Sequence, residues 1–240
     1  MEPHARGSGV RLEVLTDAAA VARRAAEEIA RQAHAAIAAR GQFTLATSGG
    51  TTPWVMLREL VTLDVAWVNV HLFQVDERVA PPGHADRNLT RLTDSLIDRV
   101  PIPASHVHPM PVNAATLDVA AAQYSAELAS IAGAPPVLDL VHLGLGPDGH
   151  TASLVPGDPV LQVTDADVAA TGEYQGRRRL TLTSPMLYRA RSVLWVVTGA
   201  EKAAMLARLQ SADGRIPAGR VRSDRALVLA DAAAASPPAA

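Results

Sequence analysis

The 240-residue chain contains no cysteine, which excludes disulfide bonds and thiolate chemistry. Neither sign of charge predominates, since 22 lysine and arginine residues face 24 aspartate and glutamate residues, for a formal net charge of −2. A chain without a strong positive field is not expected to bind nucleic acid or an anionic membrane surface. Any selectivity for anions must therefore be local.

Long apolar runs are also missing. The alanine-rich segment 18–39 is interrupted by polar and charged residues, among them Arg23, Arg24, Glu27, Glu28, Arg31 and Gln32. This pattern predicts an amphipathic helix and not a membrane span. The first residues, Met-Glu-Pro-His-Ala-Arg, lack the basic-then-apolar layout of a secretory signal, so we expect a cytoplasmic protein.

Four motifs of common enzyme classes are absent or lack the context that they require. No Gly-Lys-Ser/Thr follows a glycine turn as in a Walker loop, and no GxGxxG with a suitably placed acidic partner opens a helix, so nucleotide binding has little support. No Gly-x-Ser-x-Gly elbow indicates a serine hydrolase. The histidines show no metal-ligand spacing such as His-Glu-x-x-His, so we expect no metal.

The composition that is present, 48% hydrophobic and 19% charged residues, is that of an ordinary globular protein. Apolar strand-like segments alternate with helical ones, which predicts an α/β fold. We expect a single domain over residues 10–232, built in three layers as a doubly wound, mostly parallel sheet with helices on both faces. Residues 1–9 and 233–240 are expected to be flexible termini.

The predicted elements follow from periodicity and from their start and stop signals. Strands are predicted at residues 11–15, 43–46, 70–75, 137–143, 179–182, 192–197 and 226–229. Helices are predicted from a Thr16 or Asp17 cap to Arg40, from Pro53 to Leu60, from an Asn88 cap toward Leu96, and over 117–132 and 201–209.

Three of the predicted strands run into polar turns. These turns are Ser48-Gly49-Gly50-Thr51, Asp76-Glu77-Arg78 and Gly146-Pro147-Asp148-Gly149-His150. The carboxyl ends of parallel strands meet at one edge of a sheet, where open α/β folds bind their ligands. Segments far apart in the sequence are therefore expected to line one pocket.

Each turn has a chemical interpretation and a simpler alternative. The glycine turn at 48–51 offers hydroxyls, N–H groups and a helix start suited to a phosphate or carboxylate, although such turns equally often only connect a strand to a helix. Asp76 could orient a base or a substrate hydroxyl, and Arg78 could stabilise an oxyanion or hold a phosphate. The alternative for these two residues is a solvated charge cluster.

The histidines are predicted to differ in role. His150 is the candidate catalytic base because it follows a glycine-rich turn; its alternative is a helix-capping or core histidine. His142 lies inside an apolar strand and is predicted to be structural. His84, His106 and His108 lie in proline-rich segments and are predicted to be surface residues.

Five ordered sequence blocks resemble 6-phosphogluconolactonases over residues 12–231. The blocks are Ser48 to Pro53, Asp76-Glu77-Arg78 with Asn88 downstream, Gly144 to Leu154 with Pro156-Gly157, Arg179 to Thr183, and Gly199 to Ala203. Glucosamine-6-phosphate deaminases are related and share the glycine turn and the Asp-Gly-His block. Their histidine block continues toward Phe-Asn-Glu-Pro, whereas this chain has Ser153-Leu154-Val155-Pro156 without an acid, which favours the lactonase.

The resemblance implies hydrolysis of 6-phospho-D-glucono-1,5-lactone without a cofactor or a metal. It implies His150 as the base, Asp148 or Asp76 as the residue holding its tautomer, and Arg78 with backbone N–H groups at the oxyanion. The phosphate would lie at Ser48, Gly49, Gly50 and Thr51, with Arg179 and Lys202 as clamps. A deaminase-like isomerase and a non-catalytic sugar-phosphate sensor remain the alternatives.

Two departures from the lactonase pattern leave contacts open. Arg87 stands before Asn88, where similar sequences usually have serine, and could face solvent or the substrate. Arg177 and Arg178 adjoin Arg179, so the residue that contacts the phosphate is one of these three. We expect a small-molecule substrate and a monomer or weak dimer.

Overall fold

The computed structural model describes residues 10–221 and 224–236. Its main sheet has seven parallel strands in the order β1-β10-β9-β6-β2-β3-β5, and the predicted mostly parallel α/β fold is confirmed. These strands are β1 (Arg11–Leu15), β2 (Phe43–Thr47), β3 (Val70–Gln74), β5 (Val107–His108), β6 (Leu140–Gly144), β9 (Val193–Val197) and β10 (Ala226–Asp231). The expected flexible residues 1–9 and 237–240 lie outside the described residues.

Helices cover both faces of this sheet. They are α1 (Ala18–Arg40), α2 (Thr51–Leu60), α3 (Asn88–Ser95), α4 (Leu117–Ala132), α5 (Ser184–Arg189), α6 (Ala203–Gln210) and α7 (Ala232–Ala235). Helix α1 has the predicted ends, because the Asp17 carboxylate accepts the N–H of Ala20 and Gly41 takes φ 77. That left-handed conformation suits a residue without a Cβ atom.

Two hydrophobic cores lie on opposite sides of the main sheet. Alternate residues of one strand point to opposite faces, so Leu45 packs with α1 and α2 while Ala46 packs with α4 and its neighbours. Burial on both faces explains why the strands read as continuous apolar runs.

A second sheet was not predicted. It has three short antiparallel strands in the order β4-β8-β7, namely β4 (Asp76–Arg78), β8 (Arg179–Leu182) and β7 (Val168–Ala170). The prediction of a polar turn at Asp76-Glu77-Arg78 is therefore wrong in conformation. Its partner strand lies about a hundred residues downstream, and local sequence carries no signal for such a pairing.

Three boundaries also differ from the predictions. Helix α2 begins at Thr51 and not at Pro53, and Asn88 is the first residue of α3 and not its cap. The expected frayed tail is wrong for residues 233–235, because the Asp231 carboxylate accepts the N–H of Ala234 and starts α7. No helix among the described residues is long and apolar enough to cross a membrane.

The surface assignment of His108 is wrong, and His106 is half-buried. His108 is buried in β5, stacks on Phe73 with ring centroids 4.2 Å apart, and lies 2.6 Å from Glu127 Oε1 through its Nδ1 atom. His106 stacks on His71 with centroids 4.1 Å apart. The proline-rich context hid the two-residue strand that turns the His108 ring inward.

The strand order changes direction beside β2. The chain proceeds from β2 to β3 and β5 on one side, and then places β6 against the other side of β2. Connections that leave in opposite directions open a crevice at the carboxyl ends of the strands. The turns after β2 and β6 border this crevice.

Candidate active site

A cavity of about 380 Å³ occupies the crevice at the carboxyl edge of the main sheet. Nine of the ten predicted site residues line it: Ser48, Gly49, Gly50, Thr51, Asp76, Arg78, His150, Arg179 and Lys202. The tenth, Asp148, contacts His150. Asn88, Thr52 and Thr198 also line the cavity, and no role was predicted for them there.

His150 and Asp148 form a close pair. Nδ1 of His150 lies 2.6 Å from Oδ1 of Asp148, and the same oxygen accepts the backbone N–H of His150 at 3.1 Å. Partial burial works to raise the pKa of Asp148, but hydrogen bonds and charge from His150 outweigh it and the net shift is downward. An ionised carboxylate only accepts hydrogen bonds, so Nδ1 carries the proton and Nε2 has the free lone pair.

The turn before His150 leaves room for its ring only because residue 146 is glycine. A Cβ atom on Gly146 would lie 2.1 Å from Nδ1 of His150. The turn is closed by hydrogen bonds from Gly146 N–H to the His150 carbonyl and from Gly149 N–H to the Gly146 carbonyl, at 2.8 and 3.0 Å. The glycine pattern that marked this block in the sequence thus fixes the imidazole against the strand end.

The glycine turn after β2 is held by His142. The Ser48 N–H donates to Nδ1 of His142 at 3.3 Å, and the Ser48 hydroxyl donates to the His142 carbonyl at 3.1 Å. Both hydrogen-bond donors of Ser48 are thus engaged within the protein. The backbone N–H groups of Thr51 and Thr52, in the first turn of α2, have no hydrogen-bond acceptor within the helix. Both residues line the cavity.

His142 is fully buried, as expected for a structural residue. Burial lowers its pKa to about 3. Because Nδ1 accepts the Ser48 N–H, the neutral ring carries its proton on Nε2, an atom with no hydrogen-bond partner among the described residues. The imidazole therefore supports the glycine turn only in its neutral form.

Asp76 does not contact His150. Its carboxylate accepts the Ser153 hydroxyl at 2.6 Å and an Nδ2 hydrogen of Asn88 at 3.3 Å. Burial raises the pKa of Asp76, although the Ser153 hydrogen bond and the charges of Arg78 and Arg179 act in the opposite direction. Of the two carboxylates considered for the histidine tautomer, only Asp148 is placed to hold it.

The three cationic side chains of the cavity are held mainly by neutral groups. Arg78 Nη1 donates to the Asp86 carbonyl at 3.0 Å and to Asn88 Oδ1 at 3.2 Å. Nη2 of Arg179 donates to two neutral oxygens, and Nζ of Lys202 lies 3.9 Å from the Glu201 carboxylate. Positive charge therefore remains available for an anionic ligand.

Glu77 is the main anchor that sequence reasoning missed. Its fully buried carboxylate accepts the N–H groups of Arg78, Asn88 and Leu89 at 2.7 to 2.8 Å, and the Gln74 side-chain amide at 2.9 Å. A carboxylate at the start of α3 also complements the helix dipole. Its place between two recognised site residues was the available signal.

Arg87 belongs to this anchor and not to the cavity. Its Nε atom lies 3.3 Å from the Glu77 carboxylate, and its Nη1 donates to Asn113 Oδ1 at 2.9 Å, with the side chain almost fully buried. Arg177 pairs with Asp86, and Arg178 donates to the Thr171 carbonyl. Among these neighbouring arginines, Arg179 is the one that lines the cavity.

Fold and cavity together define an α/β protein of the class that binds its ligand at the carboxyl edge of a parallel sheet. A family profile described as "Glucosamine-6-phosphate isomerases/6-phosphogluconolactonase" matches residues 16–229. The chain belongs to this family.

Several similar proteins are 6-phosphogluconolactonases. A 6-phosphogluconolactonase of Synechocystis sp. is 44% identical over 171 residues, which cover 70% of this chain and 71% of that protein. A 6-phosphogluconolactonase of Mycobacterium tuberculosis is 37% identical, with 94% and 97% covered. The crystal structure of 6-phosphogluconolactonase from Thermotoga maritima superposes with a TM-score of 0.82 at 27% identity, covering 92% of this chain and 98% of that one.

The burial of His142 generates a prediction about stability and pH. The unfolded chain binds a proton at His142 below pH 6.5, whereas the folded chain does not until about pH 3, so acid favours unfolding. We expect the stability advantage of wild type over His142→Gln to shrink as pH falls from 6.5 toward 4, by up to about 1.4 kcal/mol per pH unit. Urea unfolding of both proteins across this range measures it, and an advantage that stays constant with pH would contradict it.

Proposed function

We propose that the protein hydrolyses 6-phospho-D-glucono-1,5-lactone to 6-phospho-D-gluconate, the second step of the oxidative pentose phosphate pathway. The observation that carries this is the His150–Asp148 pair at a cavity in which Arg78 and Arg179 are oriented by neutral oxygens and not by carboxylates. The names of the similar proteins support the same activity.

His150 acts as a general base in this proposal. Asp148 keeps the proton on Nδ1, so Nε2 takes a proton from water as the water oxygen attacks C1 of the lactone. The tetrahedral intermediate then collapses, the bond between C1 and the ring oxygen breaks, and the imidazolium returns the proton to that oxygen. A lactone is an activated acyl group, so base and water are enough for this chemistry.

The anionic groups of the substrate are assigned to the cations. Arg78 and nearby backbone N–H groups stabilise the oxyanion, and such donors are worth on the order of 100- to 1,000-fold each in other acyl-transfer sites. The phosphate lies at the glycine turn with Arg179 and Lys202. Because His142 accepts both hydrogen bonds that Ser48 donates, Ser48 holds the turn in place. The turn binds the phosphate through Gly49, Gly50 and Thr51.

The assay must distinguish the lactonase from two alternatives, a deaminase and a non-catalytic sensor. A deaminase would need an acid after the histidine block, as the resemblance implies, but Leu154 and Val155 at those positions are buried apolar residues. A non-catalytic sensor would bind the sugar phosphate without turnover.

As part of the proposal, the enzyme works in the cytoplasm as a monomer or weak dimer. The absence of cysteine supports the cytoplasmic location.

We expect purified protein to hydrolyse fresh 6-phosphogluconolactone and to leave glucosamine 6-phosphate unchanged. Acid release and formation of 6-phosphogluconate report the first reaction, and ammonia release reports the second. Ammonia release at a comparable kcat/KM would support the deaminase. Tight binding of 6-phosphogluconate without lactone turnover would support the sensor.

His150→Ala should fold normally and lower kcat by about 100- to 10,000-fold, the usual contribution of a positioned general base. His34→Ala, which changes an exposed histidine of α1 away from the cavity, is the matched control and should keep wild-type turnover. Steady-state kinetics measure kcat of each variant, and circular dichroism checks that each variant is folded. The base is misassigned if folded His142→Gln loses turnover while His150→Ala retains it.

Arg179→Ala and Lys202→Ala should each weaken transition-state binding of the phosphorylated lactone by roughly 1.5 to 3 kcal/mol, as for hydrogen bonds to charged groups. Phosphate binding energy also orients the reacting carbonyl, so kcat should fall as KM rises. The control substrate is glucono-1,5-lactone, on which wild type should be poor and both variants little changed. An equal loss of kcat/KM on both lactones would show that these residues do not bind the phosphate.

A further inference from the structure

A two-residue hairpin lies beside Arg179 and His150, two residues that line the cavity. Tyr174 and Arg177 exchange backbone hydrogen bonds of 3.0 and 3.3 Å, and both residues between them have positive φ, with Gln175 at 53° and Gly176 at 73°. This is the pattern of a tight type I′ turn. An ion pair between Arg177 and Asp86, 2.9 Å long, ties the hairpin to the loop that leads into α3. The tight turn and this ion pair together set the position of Tyr174.

The Tyr174 ring contacts both proposed functional groups. The guanidinium carbon of Arg179 lies 5.0 Å from the ring centroid, within the range of a cation–π contact. The imidazole of His150 meets the same ring edge-on, with centroids 5.8 Å apart and planes at 65°. One aromatic ring therefore links the cation assigned to the phosphate with the proposed base.

The contacts of Arg179 show why a ring suits this position. Nη1 approaches the Ser153 hydroxyl at 3.4 Å, and Nη2 donates to the Tyr174 carbonyl at 3.4 Å and to Gln175 Oε1 at 3.3 Å. Its Nε atom is buried and has no hydrogen-bond partner among the described residues. A π face and neutral oxygens orient the guanidinium without forming an ion pair with it. Its charge is left for a ligand.

Building on the proposed lactonase function, we propose that Tyr174 is a positioning residue that holds Arg179 for the substrate phosphate and aligns His150 through the same ring. This role belongs to the aromatic ring, which makes both contacts, and not to the hydroxyl of Tyr174. Loss of the ring should therefore weaken phosphate recognition specifically, while loss of the hydroxyl alone should have little effect.

The test compares Tyr174→Leu with Tyr174→Phe, and uses Tyr188→Leu, a change at an exposed tyrosine of α5, as the matched control. Tyr174→Leu should raise KM for 6-phosphogluconolactone about threefold to thirtyfold, the range that cation–π energies imply. KM for glucono-1,5-lactone should stay unchanged, whereas kcat should fall modestly on both substrates. Tyr174→Phe and Tyr188→Leu should stay within about twofold of wild type.

A double-mutant cycle with Arg179→Ala separates positioning from a general loss of structure. Calorimetric affinity for 6-phosphogluconate should fall in Tyr174→Leu, but not further when Tyr174→Leu is added to Arg179→Ala. The proposal is overturned by additive losses, by equal effects of Tyr174→Leu and Tyr174→Phe, or by wild-type KM in folded Tyr174→Leu. This binding assay needs no turnover, so absence of lactone hydrolysis by wild type would reject the proposed function while Tyr174 is still tested.

Discussion

The buried carboxylate of Glu77 is the interaction on which the geometry of the cavity depends. An ionised group removed from water is tolerated only when hydrogen bonds and an opposite charge compensate it. Three backbone N–H groups, the Gln74 amide and the guanidinium of Arg87 supply this compensation. Together they fix β4 against the start of α3. Asn88 is consequently held between Asp76 and Arg78, with one end of its amide bonded to each.

Apart from the Lys202–Glu201 ion pair, the charged groups around the cavity follow a consistent division. Acidic side chains are occupied by the protein: Asp148 by His150, Asp76 by Ser153 and Asn88. The cations Arg78 and Arg179 are oriented instead by carbonyl, amide and hydroxyl oxygens, so their charges are not cancelled. A chain with a net charge of only −2 can thus present a local positive site.

Local signals predicted most of the fold. Helix α1 and its caps, the strands of the main sheet except β5, and the glycine turns all have signatures within a few residues of themselves. The short strands β4, β5 and β7 do not, because their pairing partners are remote and two or three residues form no period. The buried position of His108 was missed for this reason, since only the pairing of β5 with β3 turns its ring toward Phe73.

The sequence by itself determined which three segments gather at the cavity. Strand-ending turns in a parallel sheet must share one edge, so Ser48, Asp76 and His150 could be brought together without coordinates. Only the tertiary structure decided which partner each side chain takes: Asp148 for His150, Glu77 for Arg87, and Tyr174 for Arg179. The physical reason is range. Topology acts through the order of elements along the chain, whereas hydrogen bonds and ring contacts depend on distances of a few ångströms between segments that the sequence leaves far apart.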